Sequence, residues 1–177
     1  SEAGPLFWAQ YSFLGLDPVG LKDKYCPSYF NEMRNLTLVN RAYCIRNPKH
    51  YKGFGPNCWG LTASDFAWNY QAQEPMPHRD NGTMAPTGAL ASFPYTPDAS
   101  MKALRNYYRN HGSFLWGEYG FRDAFNLTVN WVSPLFMGLN QAPVTVMIEN
   151  YRTNLLWNLF MSHPDVQKGI QKIQSIK

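Results

Sequence analysis

Residues 85–111 read APTGALASF, PYTP, DASMKALRNYYRNH, and the two ends of this stretch differ in kind. Ala85–Phe93 is built from small and apolar residues without a charge, as expected of a helix packed on all sides. PYTP then interrupts it, because proline cannot continue a helix and restricts the residue before it. Asp98–His111 resumes with a helical period. Met101, Leu104 and Tyr108 form an apolar stripe, and Lys102, Arg105 and Arg109 face outward. An inner-type helix is thus followed by an outer-type one, and the same order occurs twice more. Pro5–Leu16 (PLFWAQYSFLGL), apolar nearly all round, precedes Asn31–Arg46, which puts Met33, Leu36, Val39, Ala42 and Tyr43 on one stripe. Pro143–Met161, apolar on several faces, precedes Pro164–Ile176, with Val166, Ile170 and Ile173 inside and Lys168, Gln171 and Lys172 outside. No set of segments alternates with period 2. The expectation is an all-α fold of concentric inner and outer helices, with long loops gathered at one mouth.

Composition narrows the class. The 177 residues are 45% hydrophobic, 16% aromatic and 16% charged, which excludes a disordered chain. The longest apolar runs, Val144–Ile148 and Leu155–Trp157, fall far short of the ~20 residues a membrane span needs. Sixteen basic residues against twelve acidic give a net charge of +4, but they are spread without a run or a basic helix face. That excludes the footprint of a nucleic-acid binder. Three cysteines without CxxC and four scattered histidines offer no zinc set, so no metal and no cofactor is expected, and the thiols are read as buried or free. Six Trp, eleven Tyr, fifteen Asn and thirteen Gly make surfaces that stack and hydrogen-bond without charge. Proteins hold neutral polyols such as sugars with surfaces of this kind.

The carboxylates sort the loops. Seven of the twelve lie between Asp65 and Glu149, several inside loops too long and Gly-rich to be plain connectors. The clearest cluster is Trp116-Gly117-Glu118-Tyr119-Gly120-Phe121-Arg122-Asp123. It joins two carboxylates and an Arg to aromatic faces. Glycoside hydrolysis needs one carboxyl to protonate the leaving oxygen and another to activate water or attack carbon. The same residues also suit a turn in which Glu118 pairs with Arg122 and Asp123 caps the next segment. Trp59-Gly60 offers a flat platform beside Asp65, unless Ser64 and Asp65 only cap a turn. Asp80-Asn81-Gly82-Thr83 is ordinary turn chemistry, with Thr83 as a helix cap. Glu149-Asn150-Tyr151-Arg152 puts charge on an apolar helix, which calls for either a buried network or a polar face lining a pocket. Nucleophile-elbow, phosphate-loop and dinucleotide motifs are missing.

Read in order, GPLFWAQYSFLGLDP, NRAYCIRNPKHYKGFG, CWGLTASD, DNGTMAPTGALASFPYTPDAS, LWGEYGFRDAFN and MIENYRTNLLWNLFM resemble the bacterial glycoamylase-like family over nearly the whole chain. That family includes endo-β-1,2-glucanases and the related domain of cyclic β-1,2-glucan synthases. The resemblance implies an (α/α)6 barrel of twelve helices with a sugar cleft at one mouth. The six helices read above are half of twelve, so residues 1–177 are expected to be the C-terminal part of a single domain. The N-terminal half of that domain is then its missing partner, and the chain alone is expected to be inactive. The opening Ser1-Glu2-Ala3-Gly4, with neither basic nor apolar leader, fits that expectation.

By the same resemblance the substrate is an oligo- or polysaccharide, a β-glucan and foremost a β-1,2-glucan, cleaved by acid/base catalysis with inversion. Inversion sets the two carboxyls ~6.5–9.5 Å apart to admit a water. The general-acid Glu then comes from the N-terminal half, and Asp123 of GFRDAFN matches the other catalytic carboxylate, with Asp65 and Asp80 as competitors. Trp59, Trp116 and Tyr119 would stack on sugar, while Asp65, Asp80, Glu118 and Glu149 would bind hydroxyls. Two positions depart from the family pattern. Asn140 in LNQAP stands where relatives carry an Asp in IDQGP, and Gln73 stands where a His is frequent. Two other readings remain at this point: a transglycosylating or non-hydrolytic carbohydrate-binding domain, and a glucoamylase-like exo-acting α-glucan hydrolase.

Overall fold

The structure is a computed structural model and describes residues 3–175. Seven α-helices hold about half of these residues: α1 (Phe7–Gln10), α2 (Tyr29–Arg46), α3 (Pro86–Leu90), α4 (Pro97–Leu115), α5 (Gly138–Thr153), α6 (Leu155–Met161) and α7 (Pro164–Ser175). The fold is therefore mainly helical, not all-α. Three antiparallel ladders sit in the loops: β1 (Ala63–Asp65) with β2 (Tyr70–Ala72), β3 (Trp116–Gly117) with β4 (Gly120–Phe121), and β5 (Phe125–Asn126) with β6 (Trp131–Val132). Strands of two or three residues are too short for alternation to show in a sequence. No helix among the described residues is long and apolar enough to cross a membrane.

Helix α3 is buried along its whole length and packs on both α4 and α5. Its small residues allow an unusually close contact. A Cβ added at Gly88 would lie 2.7 Å from Gly60 Cα, and one added at Gly60, whose φ is +130°, would lie 2.7 Å from Ala89 N. Two glycines thus seat the loop before β1 directly on the α3 backbone.

Several element limits differ from expectation, for local reasons. Pro5–Leu16 is not one helix. After α1 the chain tightens into a 3-10 turn over Tyr11–Phe13, while the buried Gln10 side chain donates to Gly88 O (2.9 Å) and Ser92 Oγ (3.0 Å). The segment is not packed on all sides, since Trp8 and Ser12 face solvent while Leu6, Ala9, Gln10 and Phe13 are buried. Helix α2 starts two residues early, where the Ser28 hydroxyl accepts from Asn31 N–H. Its buried residues are Met33, Thr37, Asn40, Tyr43 and Cys44, and Val39 is exposed. Helix α4 runs on to Leu115 and turns Ser100, Ala103 and Tyr107 inward, one position off the expected stripe. Met101 and Tyr108 are exposed. The face against α3 selects small residues, and the Tyr107 hydroxyl locks it by donating to Trp59 O (2.5 Å) and accepting from Trp59 N–H (3.1 Å).

The long helix expected over Pro143–Met161 breaks at Asn154, which is left-handed (φ +57°), into α5 and α6. Asn150 spans the break, accepting from Trp157 N–H (3.1 Å) and donating to Leu14 O (3.1 Å). On α7, Val166 and Ile170 are half-buried and Ile173 is exposed, while Ile176 lies outside the described residues.

Candidate active site

The chain bends at Asp123 between the short strands β4 and β5, and backbone bonds to neighbouring segments hold it there. Arg122 N–H donates to Leu115 O (2.8 Å), Asp123 N–H to Leu135 O (3.0 Å), and Phe125 exchanges two backbone bonds with Met84 (2.8 and 2.9 Å). The Asp123 side chain faces β1. Its Oδ2 accepts from Asp65 N–H (2.7 Å) and its Oδ1 from Asn140 Nδ2 (2.6 Å). Asn140 Nδ2 also reaches Ala63 O (3.2 Å), and Asn140 Oδ1 accepts from the Tyr11 hydroxyl (3.3 Å). Asp65 is held separately, its Oδ2 accepting from the Ser133 hydroxyl (2.7 Å). Two carboxylates therefore stand side by side, each anchored by groups from distant parts of the chain.

Asp123 is 2% exposed. Burial, and to a lesser degree the neighbouring Asp65 charge, pushes its carboxyl above the usual aspartate range. The bonds from Asp65 N–H and Asn140 act in the opposite direction. The Tyr11 and Tyr70 phenols are also raised, first by burial, with the Asp123 charge contributing to both. Beside Asp123 lies a cavity of about 10 Å³, lined among others by Thr87, Arg122, Asn140 and Gln141. That is about the size that admits one water. The buried Thr87 hydroxyl has no protein partner. On the other side, Asp65 opens onto a groove of about 430 Å³ lined by Phe66, Trp68, Trp131, Pro134 and Leu135. Phe66 stands edge-on to both Trp68 (4.7 Å) and Trp131 (5.7 Å), propping two indoles beside the carboxylate.

The residues singled out from sequence divide. Asp123 and Asp65 come together. Trp116, Glu118 and Tyr119 lie on the exposed β3–β4 hairpin, with Trp116 braced edge-on by Tyr108 and Phe121 and Tyr119 by Phe136. Arg122 is not tied to Glu118. It donates to Pro134 O (2.9 Å) and lies over the Phe136 ring.

Trp59 is no stacking platform. It is fully buried, because Gly60 and Gly88 draw its loop into the core beneath Tyr107. Asp80 does not offer its carboxylate to a hydroxyl: it is 4% exposed, and its Oδ1 closes a turn by accepting from Gly82 N–H (2.8 Å). Thr83 caps no helix, since Ala85 precedes α3, and its hydroxyl instead accepts from Asn126 Nδ2. Glu149 belongs to neither a buried network nor a pocket wall. It pairs with Arg152 (3.0 Å) and accepts from Thr153 (2.7 Å) on the α5 surface. At 1.5 Å per residue it sits roughly 14 Å along α5 from Asn140.

Sequence reading missed Tyr11, Trp68, Tyr70, Trp131 and Ser133 as site residues. Trp68 and Trp131 stand beside Asn and lack the neighbouring Gly that singled out Trp59; Tyr11 and Ser133 carried no signal. Among the described residues, no cluster of three or more His, Cys, Asp or Glu is arranged to hold a metal ion.

The family model described as "Putative glucoamylase" matches residues 1–164. The exo beta-1,2-glucooligosaccharide sophorohydrolase (non-reducing end) of Parabacteroides distasonis is 82% identical over 177 residues, all of this chain and 24% of that protein. The crystal structure of a beta-1,2-glucanase from the same organism superposes with a TM-score of 0.95 at 82% identity, covering 98% of this chain and 25% of that one. The endo-beta-1,2-glucanase of Chitinophaga pinensis, solved with sophorotriose and glucose, gives a TM-score of 0.94 at 50% identity, over 97% and 41%. The chain thus spans about a quarter of the curated relative it matches. Matched over nearly its whole length by the family model, the chain belongs to the glycoamylase family.

Proposed function

We propose that this chain contributes the base side of a glycoside hydrolase active site that cleaves β-1,2-linked gluco-oligosaccharides. The observation that carries this reading is the 82% identity to the sophorohydrolase across all 177 residues. The site chemistry supports it. Asp123 is a buried carboxylate whose affinity for a proton is raised toward the working range of a general base. The water-sized cavity at its side suits the group that activates water in an inverting hydrolysis. Asp65 and the indoles of Trp68 and Trp131 line a groove wide enough for a sugar ring to stack and hydrogen-bond. Trp116, Glu118 and Tyr119 extend the sugar-binding surface along the adjacent hairpin.

In this reading residues 1–177 are part of an (α/α)6 barrel, and the general acid lies outside them. The exposed Leu139, Tyr151, Leu155, Leu159 and Phe160 on α5 and α6 support further helices packing there. The test is product analysis with the full-length protein on β-1,2-gluco-oligosaccharides. Release of sophorose is expected. Chain transfer without net release of reducing ends would favour a transglycosylase, and release of glucose from α-glucans alone would overturn the linkage.

A further inference from the structure

We infer that Asn140 is a positioning residue that holds Asp123 aimed and in its carboxylate form, through a hydrogen-bond relay whose direction the Ala63 carbonyl and the Asp65 N–H set. The inference rests on Asp123 acting as the base of the hydrolysis proposed above.

The relay has a direction because its ends are fixed. Ala63 O can only accept, so the Asn140 end that meets it must be the nitrogen. The same nitrogen lies 2.6 Å from Asp123 Oδ1 and gives it a second N–H. The opposite end of the amide, Oδ1, lies 3.3 Å from the Tyr11 hydroxyl, whose single proton is shared with the nearer Leu139 O (3.1 Å). The other Asp123 oxygen faces the backbone N–H of Asp65, which can only donate. Both Asp123 oxygens thus meet obligate donors. A carboxylate satisfies both, whereas a protonated carboxyl would turn its O–H toward an N–H.

The other titratable groups facing Asp123 do not supply this selection. Asp65 on β1 adds a like charge and disfavours ionisation. Tyr11 and Tyr70 are neutral phenols with raised affinity for their protons. The Arg122 guanidinium is turned to the Ser133 and Pro134 carbonyls. From α3 and α5 the nearby groups are the neutral Thr87, Asn140 and Gln141. Asn140 is therefore the side chain that favours the ionised form. An aspartate at 140 would set an acceptor against both Ala63 O and Asp123 Oδ1, so a proton would have to be shared between the two carboxyls.

The test is the pH profile of sophorose release by the full-length protein and its variants. In Asn140→Asp, the acidic limb of kcat is expected to move up by about one pH unit or more, with KM little changed. Asn140→Ala is expected to lower kcat roughly 100-fold, as a misaimed base does. Should Asn140→Ala fail to fold, the near-isosteric Asn140→Asp still decides the matter. A folded Asn140→Asp with an unmoved limb, or variants altered in KM alone, overturn the inference while leaving the hydrolysis intact. If Asp123→Asn keeps its turnover, or the unsubstituted protein releases nothing, the base assignment falls and this inference falls with it.

Discussion

Asp80 and Asp123 are buried to nearly the same degree, at 4% and 2% exposure, and in both cases burial is the main reason the carboxyl binds its proton more tightly than usual. Their surroundings differ. Asp80 Oδ1 accepts from Gly82 N–H, two residues along in its own turn, and the Tyr43 hydroxyl and the Lys49 charge act on its carboxyl against burial. Asp123 is held by Asp65 and Asn140, 58 and 17 residues away, beside a cavity and a groove. A perturbed carboxylate can therefore be either a turn or a site. What lies beyond it tells the two apart: Asp80 closes a turn in the interior, whereas Asp123, with Asp65, borders a water-sized cavity and an open groove.

The sharpest way to break this contrast is to neutralise each carboxylate. Asp123→Asn is expected to lower hydrolysis by roughly 10²–10⁴-fold, the usual contribution of a general acid or base, while titration calorimetry still shows oligosaccharide binding. Turnover within a few-fold of the unsubstituted protein would erase the distinction. Two tryptophans extend the comparison from charge to packing. Trp59→Ala should cost about 3–5 kcal/mol in denaturant unfolding, because a buried indole leaves a cavity. Trp68→Ala, at a residue 77% exposed, should leave stability nearly unchanged and raise KM instead. The reverse pattern would move the sugar surface away from the groove.

Asp80→Asn should have the smallest effect, since the amide oxygen can still close the turn to Gly82. Activity is expected to stay within about twofold, and stability near neutral pH to hold or rise. The pH dependence comes from the sign of the shift. The folded state of each carboxyl binds its proton more tightly than the unfolded one, so the contribution of each to stability is greatest in acid. It declines as pH rises from the unfolded value near ~4 through the higher folded value. Melting curves across that range should show a shallower decline in Asp80→Asn than in the unsubstituted protein.

Much of the architecture is legible because helix starts and stops are written locally. Pro97 at the head of α4 and the small residues of α3 each act through their own neighbourhood, whereas the Ser28 cap starts α2 two residues before the expected Asn31. The faces are less legible. On α4 the apolar stripe through Met101 and Tyr108 is the more hydrophobic choice, yet the core takes Ser100, Ala103 and Tyr107, one position away. At the site, Asp123 and Asp65 stand out as carboxylates in aromatic loops. Asn140 reads in the sequence as a carboxylate lost, whereas its value lies in the donor it supplies. Nothing in a linear sequence places Tyr11 or Ser133 beside them, since Tyr11 is 129 residues from Asn140 and Ser133 is 68 from Asp65.

The contact between Gly60 and Gly88 carries a consequence for engineering the groove. The strand bearing Asp65 leaves that contact after only two intervening residues, so the spacing between Asp65 and the α3 side of the cavity is set by two backbones with no side chain between them. Such a joint has no intermediate setting. One methyl group at either glycine must move a main chain, and the displacement would pass undiluted to Asp65 and, through its N–H, to Asp123. Libraries that vary Trp68, Trp131 or the β3–β4 hairpin can retune what the groove accepts, while positions 60 and 88 form the datum from which its carboxylates are measured.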